Sequence, residues 1–188
     1  NNFAPGIDAA IDAAIDATIP DGSDTADPGS PPDAWVQPTV FDLASIRGPS
    51  TADCTFEPTG TAMKDGVLLD TWRVSYLSWE SIDGVLHPIR IRGFAARPAA
   101  ATGKIPGVVH AHGLGGFAKE ENATGPAVLI DAFVIAYTGP GGGDAPGNTS
   151  EGLPAMYQDG RRLFDTVPDV RGSWFWGHAV AAMRAATC

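Results

Sequence analysis

Two short apolar runs without alternation constrain this chain most. Residues 107–111 read GVVHA and residues 132–137 read AFVIAY. Neither shows the polar–apolar rhythm of a strand with one wet face, and both are too short for a buried helix. Runs of this kind read as strands covered on both faces, as in a parallel sheet flanked by helices. Between them, residues 119–131 have helical sequence that Gly125-Pro126 divides, with Pro126 suited to open a short helix, PAVLID. The expected unit is β-α-β.

The chain before this unit follows a different rhythm. Residues 71–79, TWRVSYLSW, alternate, with Trp72, Val74, Tyr76 and Ser78 on one face. Residues 85–97, VLHPIRIRGFAAR, give a second strand in which Ile89, Ile91 and Gly93 share a face, and Pro88 marks an edge or bulge. ESIDG (80–84) reads as the turn between them, making an antiparallel hairpin or meander. Residues 35–66 read as irregular apart from a short helix in FDLASI (41–46), and residues 98–106 as a loop. Residues 138–152, TGPGGGDAPGNTSEG, form a long glycine-rich loop, and residues 153–172 are mixed. Residues 173–187 form an alanine-rich helix with Ser173 as its N-cap. The fold class is α/β: an antiparallel hairpin, then parallel β-α-β-α.

Residues 1–34 are set apart. They carry seven Asp and no Lys or Arg, and 7–18 repeat IDAA-IDAA-IDAT. Such acidic, small-residue, Pro/Gly/Ser-rich sequence buries too little surface to order itself and reads as a disordered linker. It resembles the tether that follows the lipid-anchored cysteine of bacterial surface lipoproteins. The domain is then 35–188, of ordinary size. The formal charge of −10 lies mostly in the linker, and the remainder, with 15 acidic and 12 basic residues, offers no basic surface for nucleic acid. No apolar run is long enough to span a membrane. A start at Asn1 implies upstream sequence that was removed or not included. Cys54 and Cys188 permit one disulfide in an exported protein, or stand as two free thiols. Asn122-Ala-Thr124 and Asn148-Thr-Ser150 match the glycosylation sequon, a pattern that chance often produces.

The motif with most chemistry in it is HAHGLGG, residues 110–116. Acyl transfer builds negative charge on a carbonyl oxygen, and preorganised backbone N–H groups stabilise it. Glycines let the backbone approach a substrate. An ordinary βα turn would also use these glycines. His110-x-His112 could share a strand face as metal ligands, but apart from Glu120 and Glu121 no Asp, Glu or Cys lies nearby. His112 is expected to hydrogen-bond the loop and His110 to be buried in the sheet, so neither metal nor cofactor is expected. The GPGGG run in 138–147 lacks the Gly-Lys-Ser/Thr ending of a phosphate loop and reads better as a substrate-facing loop.

No G-x-S-x-G is present. Ser150 has no strand before it, and Ser173 is followed by bulky residues that a nucleophile elbow excludes. Cys54 and Cys188 have no evident base, and His178 reads as a packed side chain of the last helix. Asp159, Arg161, Arg162, Asp165, Asp169 and Arg171 read as a solvated, salt-bridged surface. Trp72, Trp79, Trp174, Phe175 and Trp176 read as core packing rather than a sugar-stacking platform.

In order, IRGFAARP, GVVHAHGLGG, AFVIAYTGPGGGDAPG and DVRGSWFWGHAVAAMRAATC resemble the α/β-hydrolase superfamily over roughly residues 70–188. They look most like its acetyl xylan esterase, cephalosporin-C deacetylase and dienelactone hydrolase group. The resemblance implies a serine hydrolase of carboxylic esters acting on a small ester or acylated carbohydrate, exported to a bacterial cell surface or periplasm. It places the oxyanion donor at the N–H of Leu114 with Gly115 beside it, supported by His112, Gly113 and Gly116. In such proteins the nucleophile strand follows the alanine-rich helix, so residues 35–188 are expected to be an N-terminal part that stops before the nucleophile elbow and is inactive and poorly soluble alone. The alternative is a noncatalytic surface binding module with a hydrolase-like half-sheet. No oligomeric state follows from either reading.

Overall fold

Two Asp-Gly dipeptides shape the first half of the sheet. The computed structural model describes residues 41–48, 51–157, 160–164 and 169–188; the linker expectation for 1–34 lies outside them. Strands β1 (Thr55–Lys64), β2 (Val67–Ile82) and β3 (Val85–Pro98) form an antiparallel meander. Asp65-Gly66 and Asp83-Gly84 join them, each with positive φ at both residues (49° and 81°, then 50° and 79°). Positive φ twice in a two-residue loop is the type I′ turn that matches the twist of paired strands. The turn expected over 80–84 is therefore only 83–84, and Glu80, Ser81 and Ile82 belong to β2.

The expectation of irregular chain up to residue 66 is also corrected, because β1 occupies 55–64. Its residues are nearly all exposed, so no apolar rhythm marks it. It is an edge strand, and its Pro58 sits where the register slips between Pro58 and Gly60. A bulge on an edge is where a strand tolerates a missing N–H. The short helix expected in FDLASI is present as α1 (Leu43–Ile46).

Strands β4 (Gly107–Ala111) and β5 (Phe133–Tyr137) pair in parallel, linked by helix α2 (Glu121–Ile130), and β5 pairs antiparallel with β3. The sheet order is β1-β2-β3-β5-β4, a mixed α/β sheet. β5 is central and nearly wholly buried, as its apolar run predicts. β4 differs: it lies at the edge of the sheet, its three middle residues are only half-buried and its ends are exposed. Covering strand β4 on both faces would require a neighbour that the described residues do not supply.

Helices cover both faces. On one, the small residues Ala123 and Ala127 of α2 join a core with Leu69, Ala96, Val134 and Ala136. On the other, helix α4 (Trp174–Ala185) sets Ala181 and Ala185 against Val74, Tyr76, Ile91 and Tyr137. The Tyr76 hydroxyl donates to the Ala181 carbonyl and the Tyr137 hydroxyl to that of His178, both at 3.0 Å. Ser173 caps α4 by accepting from the Phe175 N–H. Before it lie α3 (Arg161–Phe164) and a 3-10 turn at Val170–Gly172. No helix among the described residues is long and apolar enough to cross a membrane.

α2 is one continuous helix, not the two pieces expected around Gly125-Pro126. Pro126 lacks the N–H that would bond the carbonyl of Asn122, four residues back. That carbonyl instead receives His110 Nδ1 at 2.6 Å. A carbonyl only accepts, so His110 carries its proton on Nδ1 there. The imidazole from β4 replaces the missing amide.

The disulfide reading of the cysteines holds: Cys54 and Cys188 are bonded, with Cα atoms 5.7 Å apart and 134 residues between them in sequence.

Candidate active site

The chain leaving β4 passes through His112 and then turns at Gly113–Gly116. The Gly116 N–H returns to the Gly113 carbonyl at 3.0 Å, and Gly115 has φ 75°. Leu114 is not among the positive-φ residues. This combination defines a type II turn, in which the third residue must tolerate positive φ and glycine does so without steric cost. The turn leaves the N–H groups of Leu114 and Gly115 without an acceptor among the described residues. The Leu114 side chain is 54% exposed, so water or a ligand reaches this backbone.

His112 braces the turn. Its Nδ1 lies 2.7 Å from the Gly113 carbonyl, and its Nε2 accepts from the Gly139 N–H at 2.9 Å. An N–H can only donate, so Nε2 is bare and the proton sits on Nδ1. The ring thereby ties the β4 turn to the start of the glycine loop. The chain just beyond is tied as well: the Ala118 N–H donates to Thr138 Oγ1, and its carbonyl accepts from Asn148 Nδ2. Asn148 also accepts from Asp144 and Ala145 N–H and donates to Asp144. With its amide committed and buried, its sequon is no sugar acceptor in this fold. The expected substrate-facing loop is thus bonded within itself and to the turn.

His178 of α4 completes the cluster. Its ring stacks on Trp174 at 4.6 Å and 22°, and lies 5.0 Å from Tyr137 and 5.3 Å from His112. Gly139 packs against both imidazoles: its N–H reaches His112, and a Cβ there would sit 2.4 Å from His178 Nδ1. That nitrogen is buried and has no partner among the described residues. Burial, and secondarily the nearby His112, lowers the His178 pKa to about 4. The sign follows from linkage. A folded pKa below the unfolded value of about 6.5 means that the unfolded chain takes up the proton first. Stability from this group is complete above about pH 6.5, falls as pH drops towards 4, and is level below that. The ring is partly exposed, so the loss is on the order of 1–3 kcal/mol. Unfolding free energies of wild type and His178→Gln, measured from pH 7 to pH 4, are expected to converge as the pH falls; parallel curves would overturn this assignment.

His110 and His112 point to different partners, so they do not act as a chelating pair. Among the described residues no three His, Cys, Asp or Glu form a metal-capable group. His110 is half-buried at the sheet edge rather than enclosed. Among the described residues no hydroxyl bonds an imidazole there either. Ser150 donates to the Thr138 carbonyl and accepts from the Arg92 N–H, Ser173 caps α4, and the buried Ser78 Oγ has no partner.

The charged stretch before α4 is corrected at one residue. Arg162 is buried, and its guanidinium donates to Glu80 Oε2 at 3.0 Å and to the Leu153 carbonyl at 2.8 Å. The pairing lies 82 positions away in sequence and so left no local sign. Asp169 and Arg171 pair at the surface, while Asp159 and Asp165 lie outside the described residues. Trp174 and Trp176 are buried, Trp79 lies under a guanidinium, and Phe175 is exposed. Sequence reading missed Thr138, Gly139 and Asn148 as the partners of the turn. The glycine run marks a loop that approaches something closely, but not what it approaches.

The molecule is therefore defined as a mixed α/β sheet protein with helices on both faces and a braced, donor-bearing turn at the end of an edge strand. No family model and no curated protein sequence matches the chain. Among solved structures the chain is similar to acetyl xylan esterase 1 from Thermoanaerobacterium sp. JW/SL YS485. The identity is 15% and the TM-score 0.45, over 74% of this chain and 43% of that one. The chain thus spans less than half of that esterase's length.

Proposed function

We propose that this chain supplies the oxyanion-binding part of a serine hydrolase of carboxylic esters, with the nucleophile and its His–Asp partners provided by polypeptide outside these 188 residues. One observation carries the reading: two adjacent, unpartnered N–H groups, Leu114 and Gly115, on a type II turn that His112 holds in place. Such donors stabilise a tetrahedral oxyanion because their orientation is set before reaction. Among the described residues no hydroxyl is hydrogen-bonded to an imidazole, and the reading accordingly takes its nucleophile from outside them. Substrates of this reading are small esters or acylated carbohydrates. Its location is an oxidising compartment, bacterial surface or periplasm, supported by the disulfide and the acidic linker sequence.

The turn permits a clean test. Position 114 is the second residue of a type II turn, where proline is favoured. Leu114→Pro therefore removes one N–H and keeps the turn, whereas Leu114→Ala keeps both. In the ester-hydrolysing polypeptide that contains this chain, L114P is expected to lower kcat for p-nitrophenyl acetate roughly 100- to 1000-fold. L114A is expected to stay near wild type. Equal rates for the two variants would remove the oxyanion role from this turn. The 188 residues alone are expected to show no serine-dependent turnover.

A further inference from the structure

We propose that a second site, a cleft on the α2 side of the β1–β2–β3 meander, binds a small oxyanion through Arg73 and Arg92. The cleft has a volume of about 190 Å³ and is lined by Thr55, Glu57, Arg73, Ser75, Arg92 and Gly147, among others. The strand register assembles it. Thr55 pairs with Ser75 and Ser75 with Arg92, so these three form one row across three strands; Glu57 and Arg73 form the next. Arg73 and Arg92 are then diagonal neighbours, about 7–8 Å apart by sheet geometry. Arginine side chains rooted that far apart on one face are long enough to bring both guanidinium groups onto one phosphate, sulfate or carboxylate, each with paired N–H donors.

The charge pattern points to a ligand. The next arginine on the same face of β3, Arg90, is paired with Asp53. Neither the Arg73 nor the Arg92 side chain has a hydrogen bond or ion pair with any described residue. Glu57, directly across from Arg73, forms no ion pair with it within 4 Å. Two neighbouring guanidinium groups with one nearby carboxylate leave a net positive charge in the cleft, which an anion placed between them would offset. This arrangement stands in a chain of formal charge −10, where attraction for anions must be local. The hydroxyls of Thr55 and Ser75 are likewise uncommitted and add donors to the floor. The loop closes one side, with the Gly147 backbone placed so that a Cβ there would lie 3.4 Å from Arg73 Nε. The Arg92 backbone is fixed from two directions, its N–H to Ser150 Oγ and its carbonyl from the Thr138 N–H. The cleft is thus a built surface on a rigid strand, and it is independent of the ester reading.

Calorimetric titration of the folded chain with inorganic phosphate, sulfate and glucose 6-phosphate at constant ionic strength tests this. Saturable one-to-one binding of at least one of them is expected. Arg73→Gln and Arg92→Gln should each weaken it about tenfold or more and together abolish it, and Glu57→Gln should tighten it several-fold. Both arginine side chains are without a hydrogen bond or ion pair among the described residues, so neither variant should melt below wild type. Tighter binding of the sugar phosphate would identify a larger ligand, and equal affinities the bare anion. Absence of saturable binding, or binding that survives the double substitution, overturns the proposal.

Discussion

Replacing Arg184 with alanine is expected to cost about 3–5 kcal/mol of folding stability, enough to leave a marginal domain largely unfolded. Arg184 is 0% exposed, yet among the described residues no carboxylate partners it. Its Nε donates to the Leu77 carbonyl at 2.9 Å. Nη1 donates to the carbonyls of Ile46 and Gly48 and to Thr51 Oγ1, and Nη2 to the Thr51 carbonyl. The guanidinium carbon sits 4.4 Å from the centre of the Trp79 ring, which adds a cation–π contact. The burial that would penalise the charge, and that lowers its pKa, is offset by this full set of acceptors. Truncation reverses the balance. The carbonyls of Ile46 and Leu77 lose their charged donor, and an unsatisfied buried acceptor costs about 1–3 kcal/mol; the Gly48 carbonyl keeps the Thr51 N–H and hydroxyl, and Thr51 is exposed to water. Arg184→Lys should be almost as damaging, because an ammonium cannot span acceptors arranged for a planar fork. Denaturant unfolding measures both; a shift below 1 kcal/mol for Arg184→Ala would show that water replaces the guanidinium at little cost.

Loss of the Cys54–Cys188 bond is the second large effect. It closes a loop of 134 residues, nearly the whole described domain. The chain-entropy relation assigns a loop of that length about 5 kcal/mol, and measured values for native disulfides run about 2–5 kcal/mol. A matched drop is expected for the Cys54→Ala/Cys188→Ala variant in denaturant unfolding, and for wild type under a reductant. Both ties act at the same place, since Arg184 and Cys188 join the end of α4 to residues 46–54. Their removal should therefore be non-additive, with a coupling above about 0.5 kcal/mol in a double-mutant cycle. An unchanged midpoint on reduction would mean that Arg184 alone holds this corner.

How far the sequence could be read depended on whether each signal was local. The run at 132–137 was legible as a buried strand because burial demands apolar residues; the run at 107–111 was legible as a strand, but its half-buried place at the sheet edge was not. The hairpins were legible at Asp83-Gly84, and Asp65-Gly66 carried the same sign for a strand pair that went unread. β1 was not legible, because an edge strand exposed on nearly all its length keeps no apolar rhythm. Glu80 reads as a turn residue only because the arginine that neutralises it inside the fold comes 82 positions later. Pro126 reads as a helix breaker for a similar reason: the histidine that takes the freed carbonyl lies on a strand. In the candidate site, the His-Gly-x-Gly-Gly pattern marked the turn and its free donors, but not the bracing at Gly139, Thr138 and Asn148.

The sequence by itself therefore determined the features that neighbours along the chain dictate: strand rhythm, glycine turns, the capped helix and the α/β class. Only the tertiary structure decided which distant groups satisfy one another. His110 completes α2, His112 anchors the glycine loop, Arg162 neutralises Glu80, Arg184 gathers four carbonyls, and Arg73 and Arg92 stand side by side with no ion pair among the described residues. The physical reason is that a buried polar group needs a partner in space, and nothing in the residues beside it specifies where along the chain that partner stands.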